Sequence, residues 1–161
     1  CAAAEPDALD EAEERLGMAF PPALRELFAC ADGQRDGTPA VFFVPTNRAL
    51  TFLPVSQVLD LAAHWREMAQ HPVNGHWWRE VGYNPAWLPI GFSQRFQVAL
   101  CLSAPKGRVL RFTTPDAEVS HTTARTQHLA ENLEDYLGDL DDYLSGARQP
   151  FAAGKSSHRS W

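Results

Sequence analysis

Apolar side chains recur along this chain at two different periods, and the switches between them outline its elements. Leu9, Ala12 and Leu16 are spaced by three and four residues behind an acidic first turn, which predicts a helix from Asp7 that Gly17 ends. A second helix follows at once, opened by Pro21 and Pro22, with Leu24, Leu27, Phe28 and Ala31 on one face and Asp32-Gly33 as a left-handed stop. The period then shortens. Residues 40–44 and 49–53 are β-branched and aromatic and flank Pro45-Thr46-Asn47-Arg48, so a hairpin is predicted. Ser56 is placed to cap a third helix carrying Val58, Leu59, Ala62, Trp65 and Met68 or Ala69, which His71-Pro72 stops.

Residues 73–85 keep no period; Trp77, Trp78 and Tyr83 stand there among Asn, Gly and Pro, as a long loop or a short helix. Residues 87–92, 96–102 and 108–113 read as three strands of a meander, the last two joined by Ala104-Pro105-Lys106-Gly107. The clearest element is the last, a helix in which Leu129, Leu133, Tyr136 or Leu137, Leu140 and Leu144 step by three or four. Its other face is acidic, and Gly146 marks its exit. Residues 147–161 are small and polar and predict a loosely held tail, leaving residues 1–146 as one domain.

Composition adds limits. With 161 residues, 45% apolar and 21% charged, the chain is an ordinary globular protein that needs neither disulfides nor metals to hold its core. Its apolar runs fall far short of the roughly 18 residues of a membrane span, so no membrane association is expected. The net charge of −6 is unevenly spread: residues 1–14 hold six acids and no base, residues 131–142 hold another six and no base, and the remainder is net basic. Phosphate backbones are repelled by such a chain, and a basic protein partner fits better than direct nucleic-acid binding. Cys1, Cys30 and Cys101 are an odd set without metal-like spacing. Buried free thiols are expected for Cys30 and Cys101, together with a reducing compartment, the cytoplasm. A start at Cys1 leaves truncation and processing, lipidation included, both open.

Three segments resemble the SUKH superfamily, whose members include fungal cell-wall-synthesis regulators and bacterial toxin-immunity proteins. Glu13-Glu14-Arg15-Leu16-Gly17 with Phe20-Pro21-Pro22-Ala23-Leu24-Arg25-Glu26-Leu27 and Ala31-Asp32-Gly33 is similar to the opening helix, proline, helix and turn of that family. Phe52-Leu53-Pro54-Val55-Ser56-Gln57-Val58 resembles its strand running into a polar-capped helix. Trp87-Leu88-Pro89-Ile90-Gly91, the later Gly107-Arg108-Val109 turn and the closing Leu-rich helix complete the order over residues 9–144. Relatives often place a glycine after the third motif and an Asp in the next strand; here stand Ser93-Gln94-Arg95 and Ala99-Leu100-Cys101-Leu102, so no role tied to that Asp carries over. The resemblance implies an α+β domain with a mostly antiparallel sheet of about five strands, helices packed on one face, and action by binding a protein and not by catalysis.

Catalytic patterns were sought against that implication. His64, His71, His76, His121, His128 and His158 have no metal-ligand spacing, and GxSxG, P-loop and GxGxxG motifs are absent, so no catalytic residue, metal or cofactor is expected. Gly33 to Gly37 reads as a turn. Asp135 and Asp139 form a repulsive i, i+4 pair. With Glu131, Glu134 and Asp142 they make either a solvated face or a negative patch that meets a cationic partner. Trp77, Trp78, Arg79 and Tyr83 are either packed under their loop or exposed anchors, since interface hot spots favour Trp, Tyr and Arg; Trp87 is assigned to the core. The leading reading is an immunity protein that occludes a cognate toxin, such as a nuclease or nucleotide-targeting enzyme with a basic cleft. Its rivals are a non-catalytic regulatory or scaffold module and a small hydrolase or ligand-binding domain near Trp77 and His76.

Overall fold

The computed structural model describes residues 2–35, 38–44, 48–73, 75–103, 107–115 and 126–146. The predicted tail at 147–161, the turn residues 45–47 and 104–106, Gly37, His121, His158 and Cys1 lie outside the described residues. α1 (Pro6–Leu16) starts on proline, buries Leu9, Ala12 and Leu16, and ends at Gly17, whose φ of 67° is the left-handed C-terminal conformation glycine adopts without penalty. Glu13 then sets the corner to α2 (Pro22–Cys30). Its carboxylate accepts the Phe20 N–H at 2.8 Å and pairs with Arg25 at 2.8 Å.

The exit of α2 clamps the start of α3 (Val55–Gln70). Gly33 has φ of 78°, and a Cβ there would lie 2.5 Å from the Pro54 nitrogen. That approach lets the Asp32 carboxylate accept the Val55 N–H at 2.7 Å. Ser56, expected to cap this helix, lies one residue inside it and does not; the cap comes from Asp32, a residue far back in the chain.

The sheet is a continuous antiparallel meander of six strands in the order β1 (Phe42–Val44), β2 (Arg48–Phe52), β3 (Trp87–Ser93), β4 (Val98–Ser103), β5 (Arg108–Thr113) and β6 (Thr126–Ala130). The α+β class and antiparallel sheet are as expected, with one strand more than the sequence suggests. In the sequence Leu129 lies four residues before Leu133 and prolongs the helical period, which predicts an earlier start for the last helix than the structure has. The chain instead pairs with β5 up to Ala130, and α5 (Leu133–Leu144) starts where Asn132 Oδ1 accepts the Asp135 N–H at 2.8 Å. The irregular stretch after α3 contains a short helix, α4 (Gly75–Glu80).

Both faces of the central strands are buried. Along β4, Val98, Leu100 and Leu102 join a core built with α1, α2, α3 and α5, while Ala99 and Cys101 point the other way into a second cluster. In the first core Phe28 stacks on Phe52 at 5.4 Å, Phe42 meets Phe52 edge-on at 5.3 Å, and the buried Tyr136 hydroxyl donates to the Phe43 carbonyl at 2.8 Å. The second cluster gathers Trp65 of α3, Trp78 of α4, Tyr83, Trp87 and Phe112, with Trp65 and Trp87 5.4 and 5.3 Å from the Phe112 ring. Helical cover is therefore continued onto the second face by the end of α3 and by α4, and Trp87 is in the core as assigned.

Two measurements test this packing. Gly33→Ala must place a Cβ against the Pro54 backbone and is expected to cost about 3 kcal/mol. Gly17→Ala, with open space around it, should cost about 1 kcal/mol, both read from urea midpoints at unchanged slope. Burial pushes the Tyr83 hydroxyl up to about 12. The unfolded phenol ionises from about pH 10, so stability should fall as pH rises from about 10 to 12, by roughly 1–2 kcal/mol, and Tyr83→Phe should flatten that slope.

Candidate protein-interaction site

α5 buries Leu133, Tyr136 and Leu140 and turns Glu134, Asp135, Asp141 and Asp142 to solvent, with Asp139 half-buried. The acids at its two ends have different physics. Glu134 and Asp135 sit in the first turn, where an anion is favoured by the helix dipole, and Asp135 Oδ2 also accepts from Asn132 Nδ2 at 2.9 Å. Asp141 and Asp142 occupy the last turn, which holds no base and where the dipole disfavours negative charge. Neither enters an ion pair among the described residues. Asp141 was counted in the acidic segment but not singled out from sequence, because the stripe formed by Glu131, Glu134, Asp135, Asp139 and Asp142 left it at the margin. Glu131 precedes the helix and is shared between Arg108 at 3.1 Å and His128 at 3.7 Å, an exposed arrangement of small energetic worth.

In the other acidic segment, two of the six acids are paired within the domain. Arg25 of α2 bridges Asp10 at 2.7 Å and Glu13 at 2.8 Å, and its pKa is raised by the hydrogen bond to Asp10 and then by that to Glu13.

Adjacent tryptophans on α4 are turned by about 100° from one another and meet different surroundings. Trp78 is 2% exposed and packs against Tyr83 at 5.1 Å, whereas Trp77 is 50% exposed beside His76. Tyr83 is half-buried in the same cluster. Of the aromatic candidates, Trp78 and Tyr83 thus serve the core, and Trp77 stays on the surface with Arg79 and Val73. Gly75 makes the close turn possible: a Cβ there would meet the Ala69 carbonyl at 2.5 Å.

The chain matches the model of the SMI1/KNR4 family (SUKH-1) over residues 3–139, from before α1 into α5. It belongs to that family. No curated protein matches this sequence.

In this SUKH-1 domain the matched segment closes at Asp139, so Asp141 and Asp142 lie just beyond it. Among the described residues no three His, Cys, Asp or Glu side chains gather to hold a metal ion, and His64, His71, His76 and His128 are all exposed. No described helix is long and apolar enough to cross a membrane. Cys101 is buried as expected, with its thiol pKa pushed up by burial. Cys30, expected inside, is exposed: it is the last residue of α2, and its neighbours Leu24 and Phe28 fill the core-facing stripe. A shallow depression of about 320 Å³ lies between α3 and β3, lined by Leu53, Leu61 and Phe92 with Gln57, Asp60 and His64 along the helix. Such a surface offers apolar contact to a partner.

The contrast between the two tryptophans is measurable. Trp78→Ala should remove about 3–5 kcal/mol of unfolding free energy, while Trp77→Ala should stay within about 0.5 kcal/mol of the parent in the same denaturation series.

Proposed function

We propose that this SUKH-1 chain is an immunity protein that acts in the cytoplasm, binding one cognate antibacterial toxin and covering its active site or substrate path. The observation that carries the reading is the pair Asp141 and Asp142. Charges placed against their own helix dipole, with no ion-pair partner among the described residues, lower the stability of α5, and a cationic surface on a partner would offset that cost. They lie just beyond the segment that the family match covers. A toxin acting on nucleic acid or nucleotides carries a basic cleft, and the carboxylates of α5 reproduce the charge of the phosphates it holds.

The interaction surface is assigned to α5, with Glu131, Glu134, Asp135 and Asp139 extending the acidic face. α5 packs into the first core and α4 into the second, on opposite faces of the sheet. One flat partner surface meets one or the other, so Trp77 and Arg79 form a separate patch. Occlusion is the whole of the chemistry: an acidic face steers association and sets register, and no bond in the toxin is altered.

Co-expression with the toxin encoded beside its gene is expected to restore growth and give a one-to-one complex on size exclusion. Asp141→Lys combined with Asp142→Lys should slow association by about tenfold or more, weaken its salt dependence and leave the fold intact. Equal killing with and without this chain refutes the immunity reading, and unchanged association kinetics place the interface off α5.

A further inference from the structure

A second charged surface, opposite in sign to α5, is built at the turn between β3 and β4. Phe96 is 37% exposed there. The Arg48 guanidinium lies 4.9 Å from its ring centroid and the Arg95 guanidinium 5.3 Å. Arg111 of β5 stands behind them, 7% exposed, with its pKa lowered by burial and then by the charge of Arg48. Among the described residues, neither Arg48 nor Arg95 is paired with a carboxylate.

The turn that carries this group is held in place. Gln97 has φ of 51°, a left-handed conformation that a residue with a side chain adopts only under constraint. Its carbonyl accepts the N–H of the buried Thr114 at 3.0 Å, and its side chain donates to the Gln94 carbonyl at 2.9 Å. The Phe96 N–H closes the turn on the Ser93 carbonyl at 3.2 Å. Arg95 on this turn and Arg48 at the start of β2 converge on one ring, and like charges brought together repel one another, a repulsion that an anionic ligand relieves.

We infer that Arg48, Arg95 and Phe96 form a docking site for a carboxylate-bearing segment of a protein partner, in which an Asp or Glu lies next to an apolar side chain. A guanidinium that approaches an aromatic ring with its flat face keeps its N–H edge free, and that edge matches the two oxygens of a carboxylate. The exposed phenyl ring takes the apolar neighbour, giving the Arg and aromatic pairing enriched in protein interfaces. A nucleic-acid strand fits less well. It binds through rows of phosphate contacts, whereas this patch holds two cations, the half-buried Arg48 and the exposed Arg95, on a chain of net charge −6. The site is distinct from the α5 face and does not rest on the toxin reading.

The test uses the full chain and a labelled peptide of alternating Glu and Leu, followed by fluorescence anisotropy at low salt. Binding is expected, with weakening by about tenfold in Arg48→Gln/Arg95→Gln and a comparable loss in Phe96→Ala, each variant first shown to be folded by circular dichroism. Asp141→Lys/Asp142→Lys should bind the peptide as the parent does. Equal affinity in the arginine and Phe96 variants overturns the proposal. So does tighter binding of a short oligothymidylate than of the peptide. Self-association on sedimentation that Asp141→Lys/Asp142→Lys abolishes overturns it too, since the occupant would then be α5 of a second copy.

Discussion

Burial of both faces of β4 is the constraint from which the rest of this architecture follows. Val98, Leu100 and Leu102 point to one side and Ala99 and Cys101 to the other, and all are fully removed from solvent. A strand of this kind has to be covered twice. α3 answers that requirement alone among the helices, placing Val55, Val58, Leu59 and Ala62 in the first core and Trp65 in the second. The sheet accommodates it through a short junction, in which β2 and β3 share only the pairs Thr51↔Phe92 and Phe52↔Gly91. Gly91 is required at that junction, because a Cβ would stand 2.9 Å from the Phe42 ring.

Charge is sorted by the same packing. Two of the acids of α1, Asp10 and Glu13, pair with Arg25, which ties α1 to α2. On α5, Glu134, Asp141 and Asp142 enter no ion pair among the described residues, and the buried stripe of that helix is turned to the sheet. Two cations, Arg48 and Arg95, gather elsewhere, beside Phe96. A small domain thus presents two surfaces of opposite sign, each set on a rigid element.

The elements that local patterns specify were legible in the chain. α1, α2 and the strands from Trp87 to Thr113 follow from apolar period, proline starts and glycine stops, and these depend on residues within a few positions of one another. The ordered motifs from Glu13 to Gly91 also sufficed for the SUKH resemblance, which the family match over residues 3–139 bears out. The acidic face of α5 was visible as composition. Trp77 and Trp78 were not separable, because adjacent residues carry the same local signal and only the docking of α4 on Trp65 and Tyr83 decides which ring is enclosed.

The sequence by itself determined α1, α2, α3 and the body of α5, most of the strands and the uneven spread of charge, since these are set by short-range sterics and periodicity. Tertiary structure alone decided that Asp32 and not Ser56 caps α3, that residues 126–130 leave the helical period to pair with β5, and that Arg48 meets Phe96. Each joins groups remote along the chain. Hydrogen bonds, strand pairing and cation–π contacts of that kind exist only after the core has brought their partners together, so no local pattern encodes them.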